Sequence, residues 1–119
     1  MFRVDEDLAV HINRGDAGNI NVTANDGSYE FQAGSKLKLR IYEKKGYDKE
    51  PVYETEVTIP EATTQAVIPL TESSTEFCDE LNKPKTYWYD VSLDEDITLI
   101  GYDEDGAKEF IIYPAKIGE

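Results

Sequence analysis

Residues 35–43, SKLKLRIYE, alternate without a slip: Leu37, Leu39 and Ile41 fall on one parity, and Lys36, Lys38, Arg40 and Tyr42 on the other. A strand sends successive side chains to opposite faces, so this parity defines a strand with one buried and one solvated side, the pattern of an antiparallel sheet. The same period recurs along the chain. Leu8, Val10 and Ile12 alternate in LAVHIN (8–13), and Ile20, Val22 and Ala24 in NINVTA (19–24). Tyr53, Thr55, Val57 and Ile59 face away from Glu54, Glu56 and Thr58, and Ala66, Ile68 and Leu70 alternate in QAVIPL (65–70). DITLIG (96–101) and EFIIYP (109–114) add two more strands, and YEF (29–31) a brief edge strand. Turn-forming runs separate them: RGDAG, NDGS, AGS, KKGYDKEP, DED and YDEDGA. Short strands with such punctuation predict an all-β sandwich or barrel.

One stretch departs from the period. TESSTEFCDEL (71–81) carries helix-start chemistry, with Thr71 as N-cap or Ser73 and Glu76 as a capping box. Phe77, Cys78 and Leu81 then share a helical face, and Pro84 stops the run. A short helix near 72–81, crossing between two sheets, is expected. The 119 residues favour a single domain, 1–119, with 1–6 and 115–119 as loose ends.

KTYWYDVSLD (85–94) places Tyr87, Trp88 and Tyr89 side by side. Tyr87, Tyr89, Val91 and Leu93 share a parity and form the core set, so Trp88 points the other way, with Asp90 and Ser92. In an immunoglobulin-like sandwich a tyrosine after the sheet-crossing segment bonds back to backbone, and Tyr87 or Tyr89 fits that place.

Charge narrows the partners. Lys and Arg total 12 against 25 Asp and Glu, a formal net charge of −13. Phosphate recognition needs clustered cations, so neither nucleic acid nor an anionic membrane surface is an expected partner. No apolar run reaches the length of a membrane span, and MFRVDEDLAV lacks a secretory n-region and h-region. Cys78 is the single cysteine, so no intramolecular disulfide forms and a reducing compartment is expected.

Chemistry is sparse. His11 is the only histidine and reads as a surface strand residue without triad or metal partners. Cys78 sits among Glu76, Asp79 and Glu80, which oppose thiolate formation, and reads as a small buried residue. RGD (14–16) reads as a tight turn. The acids of DED (94–96) and YDEDG (102–106) offer oxygens to a hard cation, but the twelfth position of an EF-hand register holds Ile112, so they read as solvated turns. No catalytic residue, metal or cofactor is expected, and a small-molecule ligand is not. Lys36, Lys38, Arg40, Lys44, Lys45 and Lys49 carry six of the cations against an acidic background. They read as a solvated strand face that blunts an edge or as a docking patch for an acidic neighbour or another copy of the chain, and Trp88, Tyr42, Lys36, Lys38 and Arg40 are the candidate interface.

INRGDAGNINVTANDGSYEFQAGSKLKLRIYEKK (12–45) resembles the start of small proteins from phage and prophage tail modules of Gram-positive bacteria, with a Gly-Asp turn, a Y-x-F-x-x-G segment and an alternating strand. YWYDVSLDEDITLIGYDEDGAKEFIIYP (87–114) resembles their closing hairpin. Together these segments resemble the N-terminal immunoglobulin-like domain of phage baseplate upper proteins. The resemblance implies an immunoglobulin-like sandwich without catalytic residues. It also implies a structural tail component made in the bacterial cytoplasm and then carried in the virion tail, whose partners are its own copies or other tail proteins. Members of that family continue into regions that contact other virion parts or carry receptor binders, and no receptor-binding role is carried over. An alternative of another class is a binding module for a cell-surface glycan or protein, with exposed tyrosine and tryptophan rings as stacking platforms.

Overall fold

The computed structural model describes residues 1–24, 27–44, 50–78, 82–104 and 106–115. Nine strands make up the regular structure: β1 (Phe2–Val4), β2 (Val10–Asn13), β3 (Gly18–Val22), β4 (Lys36–Tyr42), β5 (Tyr53–Thr58), β6 (Ala66–Leu70), β7 (Lys85–Leu93), β8 (Ile97–Ile100) and β9 (Lys108–Tyr113). They form a seven-stranded sheet, ordered β1-β2-β9-β7-β4-β5 with β8 beside β7, and a two-stranded sheet of β3 and β6.

Strand β7 is the spine of the large sheet. Along one edge it pairs with β4, from Trp88 opposite Tyr42 to Leu93 opposite Leu37. Its other edge is shared: Lys85–Tyr89 pair with β9, and Val91–Leu93 pair with β8, with a register shift between Val91 and Ser92. The pairings are antiparallel except one. β2 runs parallel to β9, with Val10 opposite Phe110 and Ile12 opposite Ile112. The expectation of purely antiparallel sheets is corrected there. The two strands lie 100 residues apart in register, so no hairpin dictates their relative direction.

The core lies between the sheets. Val10, Ile12, Leu37, Leu39, Ile41, Tyr87, Tyr89, Val91, Phe110 and Ile112 face it from the large sheet, and Ile20, Val22, Ala66, Ile68 and Leu70 from the small one. The alternating parities therefore fold as read, including the core set of β7. YEF does not form a strand: only Phe31 makes a bridge, to Thr63, and its ring is fully buried.

The expected helix near 72–81 is not seen. Residues 71–78 form successive turns, closed by Ser74 N to Thr71 O, Glu76 N to Ser73 O and Cys78 N to Thr75 O. Ser74 Oγ accepts from the Thr71 N–H, the reciprocal bond of a capping box, yet the segment stops at i-to-i+3 turns. Ser73, Ser74 and Thr75 are weak helix formers, and Arg14 and Gly15 take the Cys78 carbonyl and the Thr75 hydroxyl. Asp79, Glu80 and Leu81, the rest of that expectation, lie outside the described residues. The turns still dock as foreseen: Cys78 is buried, and Phe77 stacks on Tyr53 and meets Tyr87 edge-on.

Candidate functional site

The outer face of the large sheet collects the residues singled out by sequence. Lys36, Lys38, Arg40 and Tyr42 project from β4, and Trp88, Asp90 and Ser92 from β7. Register places Tyr42 beside Trp88, Arg40 beside Asp90 and Lys38 beside Ser92. The opposite neighbours of Arg40 and Lys38, across β5, are Glu54 and Glu56.

This register changes the meaning of the basic strand. Arg40 Nε donates to Glu54 Oε2 at 3.0 Å, and Lys38 Nζ lies 3.9 Å from both Glu54 Oε1 and Glu56 Oε2. Glu95, from the turn after β7, reaches across to bond Lys38 and lies 3.7 Å from Arg40. Lys36 faces Glu56 at 3.9 Å. The hydrogen bond from Lys38 holds the Glu95 carboxyl below its ordinary range and lifts the Lys38 ammonium above its own. The bond to Glu54 likewise raises Arg40. Within the chain, Lys36, Lys38 and Arg40 are thus already matched by carboxylates of β5 and of the turn after β7. Lys45 and Lys49, the outer part of that patch, lie outside the described residues.

Tyr42, expected as an exposed ring, is only 7% exposed. Its hydroxyl donates to Asp90 Oδ2 at 3.4 Å, and burial raises the phenol above its usual range. Burial also raises Asp90, against the lowering effect of Arg40. Asp90 Oδ1 and the hydroxyl of Ser92, a residue 6% exposed, have no hydrogen-bond partner. Trp88 is half-buried between Tyr42 and Glu109, with its ring on the solvent side of the sheet. So Trp88, not Tyr42, is the ring this face presents.

Tyr89 bonds to backbone, but its partner is the Leu8 carbonyl at 2.6 Å, across the sheet and far upstream. Through this bond Tyr89 pins the 5–9 loop, where Leu8 is held at φ 71°.

His11 is corrected from a surface residue to one 7% exposed. Its Nε2 lies 2.7 Å from Asp5 Oδ2 and its Nδ1 2.8 Å from the Tyr113 hydroxyl. A carboxylate only accepts, so Nε2 carries the proton, and in the neutral ring Nδ1 accepts from Tyr113. Asp5 also accepts from Arg3, and the bonds from His11 and then Arg3 hold its carboxyl low. Asp5 and Tyr113 were missed by the sequence reading because Asp5 reaches His11 across the β1–β2 hairpin and Tyr113 reaches it only where β2 lies parallel to β9. The chain fastens β1 and its loop to the sheet.

The RGD turn is occupied internally. Arg14 Nε donates to the Cys78 carbonyl at 2.7 Å, Gly15 N donates to Thr75 Oγ1 at 2.8 Å, and Gly15 takes φ 89°. In the acidic turns, Asp103 pairs with Lys108 at 3.0 Å. Among the described residues no group of three or more His, Cys, Asp or Glu side chains is placed to hold a metal ion. No helix there is long and apolar enough to cross a membrane.

Comparison with known proteins adds no name: no family model, no curated protein and no solved structure matches this chain.

Proposed function

We propose that this chain is a non-enzymatic assembly module, an immunoglobulin-like sandwich that works by docking, and that its setting is a phage or prophage tail of the baseplate type. The observation that carries the reading is the strand order. A large sheet holding β2 parallel to β9, then β7, β4 and β5, faces β3 and β6, and the chain crosses between sheets after β2, β3, β5 and β6. That crossing pattern supports the immunoglobulin-like class the resemblance implies. The segments that carry the resemblance fall on coherent units, 12–45 on β2 through β4 and 87–114 on β7 through β9.

The outer face suits docking over chemistry. Its charges are paired within the chain, which leaves the half-buried Trp88 as its aromatic anchor, and tryptophan is enriched where interfaces hold their energy. Native mass spectrometry tests the reading. A discrete ring or pair of identical copies supports assembly. A strict monomer that gives a signal on a glycan array supports the binding-module alternative.

A further inference from the structure

β8 covers its share of the core incompletely. Ile97 pairs with Leu93, a buried core residue, and so belongs to the inner parity, yet it is 53% exposed. Leu99 is only partly buried against the same core. The reason is the mismatch of the sheets: seven strands face two, and the β7–β8 hairpin overhangs the end of β3. A groove of about 460 Å³ runs along this overhang. Leu93, Ile97 and Leu99 line it from the large sheet, and Thr23, Ala24 and Tyr29 from the exit of β3. Thr98 lines it too. The register shift opposite Val91 and Ser92 leaves Leu99 out of the pairing and breaks strict alternation, and Ile97, Thr98 and Leu99 all border the groove at the strand's edge. That edge is open, for among the described residues β8 pairs with β7 alone.

We propose that this seam docks an extended segment of another protein, added as a strand to the free edge of β8, whose side chains alternate between apolar and lysine or arginine. Backbone pairing to an exposed edge with alternate side chains in pockets is an established mode of recognition. The apolar half of the demand comes from Ile97, Leu99 and the exposed Tyr29. The cationic half comes from the rim. Glu30 adjoins Tyr29, Asp94 adjoins Leu93 and Asp96 adjoins Ile97, all exposed. Among the described residues neither Glu30 nor Asp96 has a side-chain ion-pair partner. The same charges disfavour a second copy: two such rims, on chains of net charge −13, would meet acid to acid. The proposal concerns a different edge from Trp88 and stands without the assembly reading.

A short synthetic peptide alternating lysine and valine, with its glutamate–valine counterpart as control, serves as probe for the intact chain in amide NMR titration. The expected result is saturable shifts confined to 23–29 and 93–100 with the lysine peptide and none with the control. Binding should weaken as salt rises from about 0.1 M to about 1 M, where screening shortens from about 10 Å to about 3 Å. Ile97→Ser, at an exposed position, should cost about tenfold in affinity by removing one apolar anchor, and Tyr29→Ser should act in the same direction. Three results would overturn the proposal: shifts spread over every exposed carboxylate, affinity unchanged in both variants, or the same shifts appearing on concentrating the chain alone, which makes a second copy the occupant.

Discussion

Tyr89 is held at both ends, its ring edge-on to Phe110 at 6.0 Å and its hydroxyl on the Leu8 carbonyl. Tyr89→Ala should cost about 3–5 kcal/mol, as large-to-small aromatic changes in cores do, and Tyr89→Phe about 1 kcal/mol for the lost bond; urea melts check both. Asp90 carries the opposite kind of effect. Burial raises its folded pKa, so its contribution is fully favourable below the ordinary value of 3.8 and is lost as pH rises through the raised one. Asp90→Asn should therefore melt above the parent at pH 7, and the gap should close as the pH falls to about 3. A gap that widens in acid would contradict the assignment. At this scale, parity alone made the opposite facings of Tyr89 and Trp88 legible. The burial of Tyr42 and Ser92 and the partial burial of Asp90 were not, because they come from strand neighbours, β7 beside Tyr42 and β4 and β8 beside Ser92, that no local window contains.

Strands β4 and β5 join as a ladder of alternating charge, with Lys38 opposite Glu56 and Arg40 opposite Glu54. Both halves stood in the sequence as K-x-K-x-R and E-x-E, and only the hairpin register that sets one against the other was unread. Solvent-screened pairs of this sort contribute little, so Lys38→Met should shift the denaturation midpoint only slightly at low salt and still less near about 1 M salt, measured by denaturant titration. Glu95 adds a pH signature. Its folded pKa lies below the ordinary 4.5, so its contribution is present above that value and lost as the pH falls through the lowered one. Thermal melts between about pH 5 and pH 3 should fall more steeply for the parent than for Glu95→Gln. Glu95 and Asp94 hold this turn at φ 65° and 50°, left-handed values without glycine, and the Asp94 carboxylate accepts from the Lys36 N–H at 2.9 Å. The helix expected near 72–81 failed for a related reason. Ser73, Ser74 and Thr75 are weak helix formers, and Arg14 and Gly15 draw the Cys78 carbonyl and the Thr75 hydroxyl into tertiary bonds, which the capping pattern alone does not reveal.

For the whole molecule, an all-β architecture followed from period two, while the strand order did not. Parity identifies a strand's buried face but not its neighbour, and the parallel β2–β9 pair, the division of β7 between β9 and β8, and the open seam beside Ile97 all arise from long-range pairing. The central claim is docking through the Trp88 face of a stable sandwich. Sedimentation of the parent and of Trp88→Ala at high protein concentration, with thermal melts of both, tests it most directly. The account predicts a discrete oligomer for the parent, dissociated by Trp88→Ala, with the melting temperature of the dilute protein nearly unchanged because that ring lies partly buried on the solvent side of the sheet, outside the core. A parent that sediments as a monomer at every concentration, or a Trp88→Ala variant that unfolds, would contradict it.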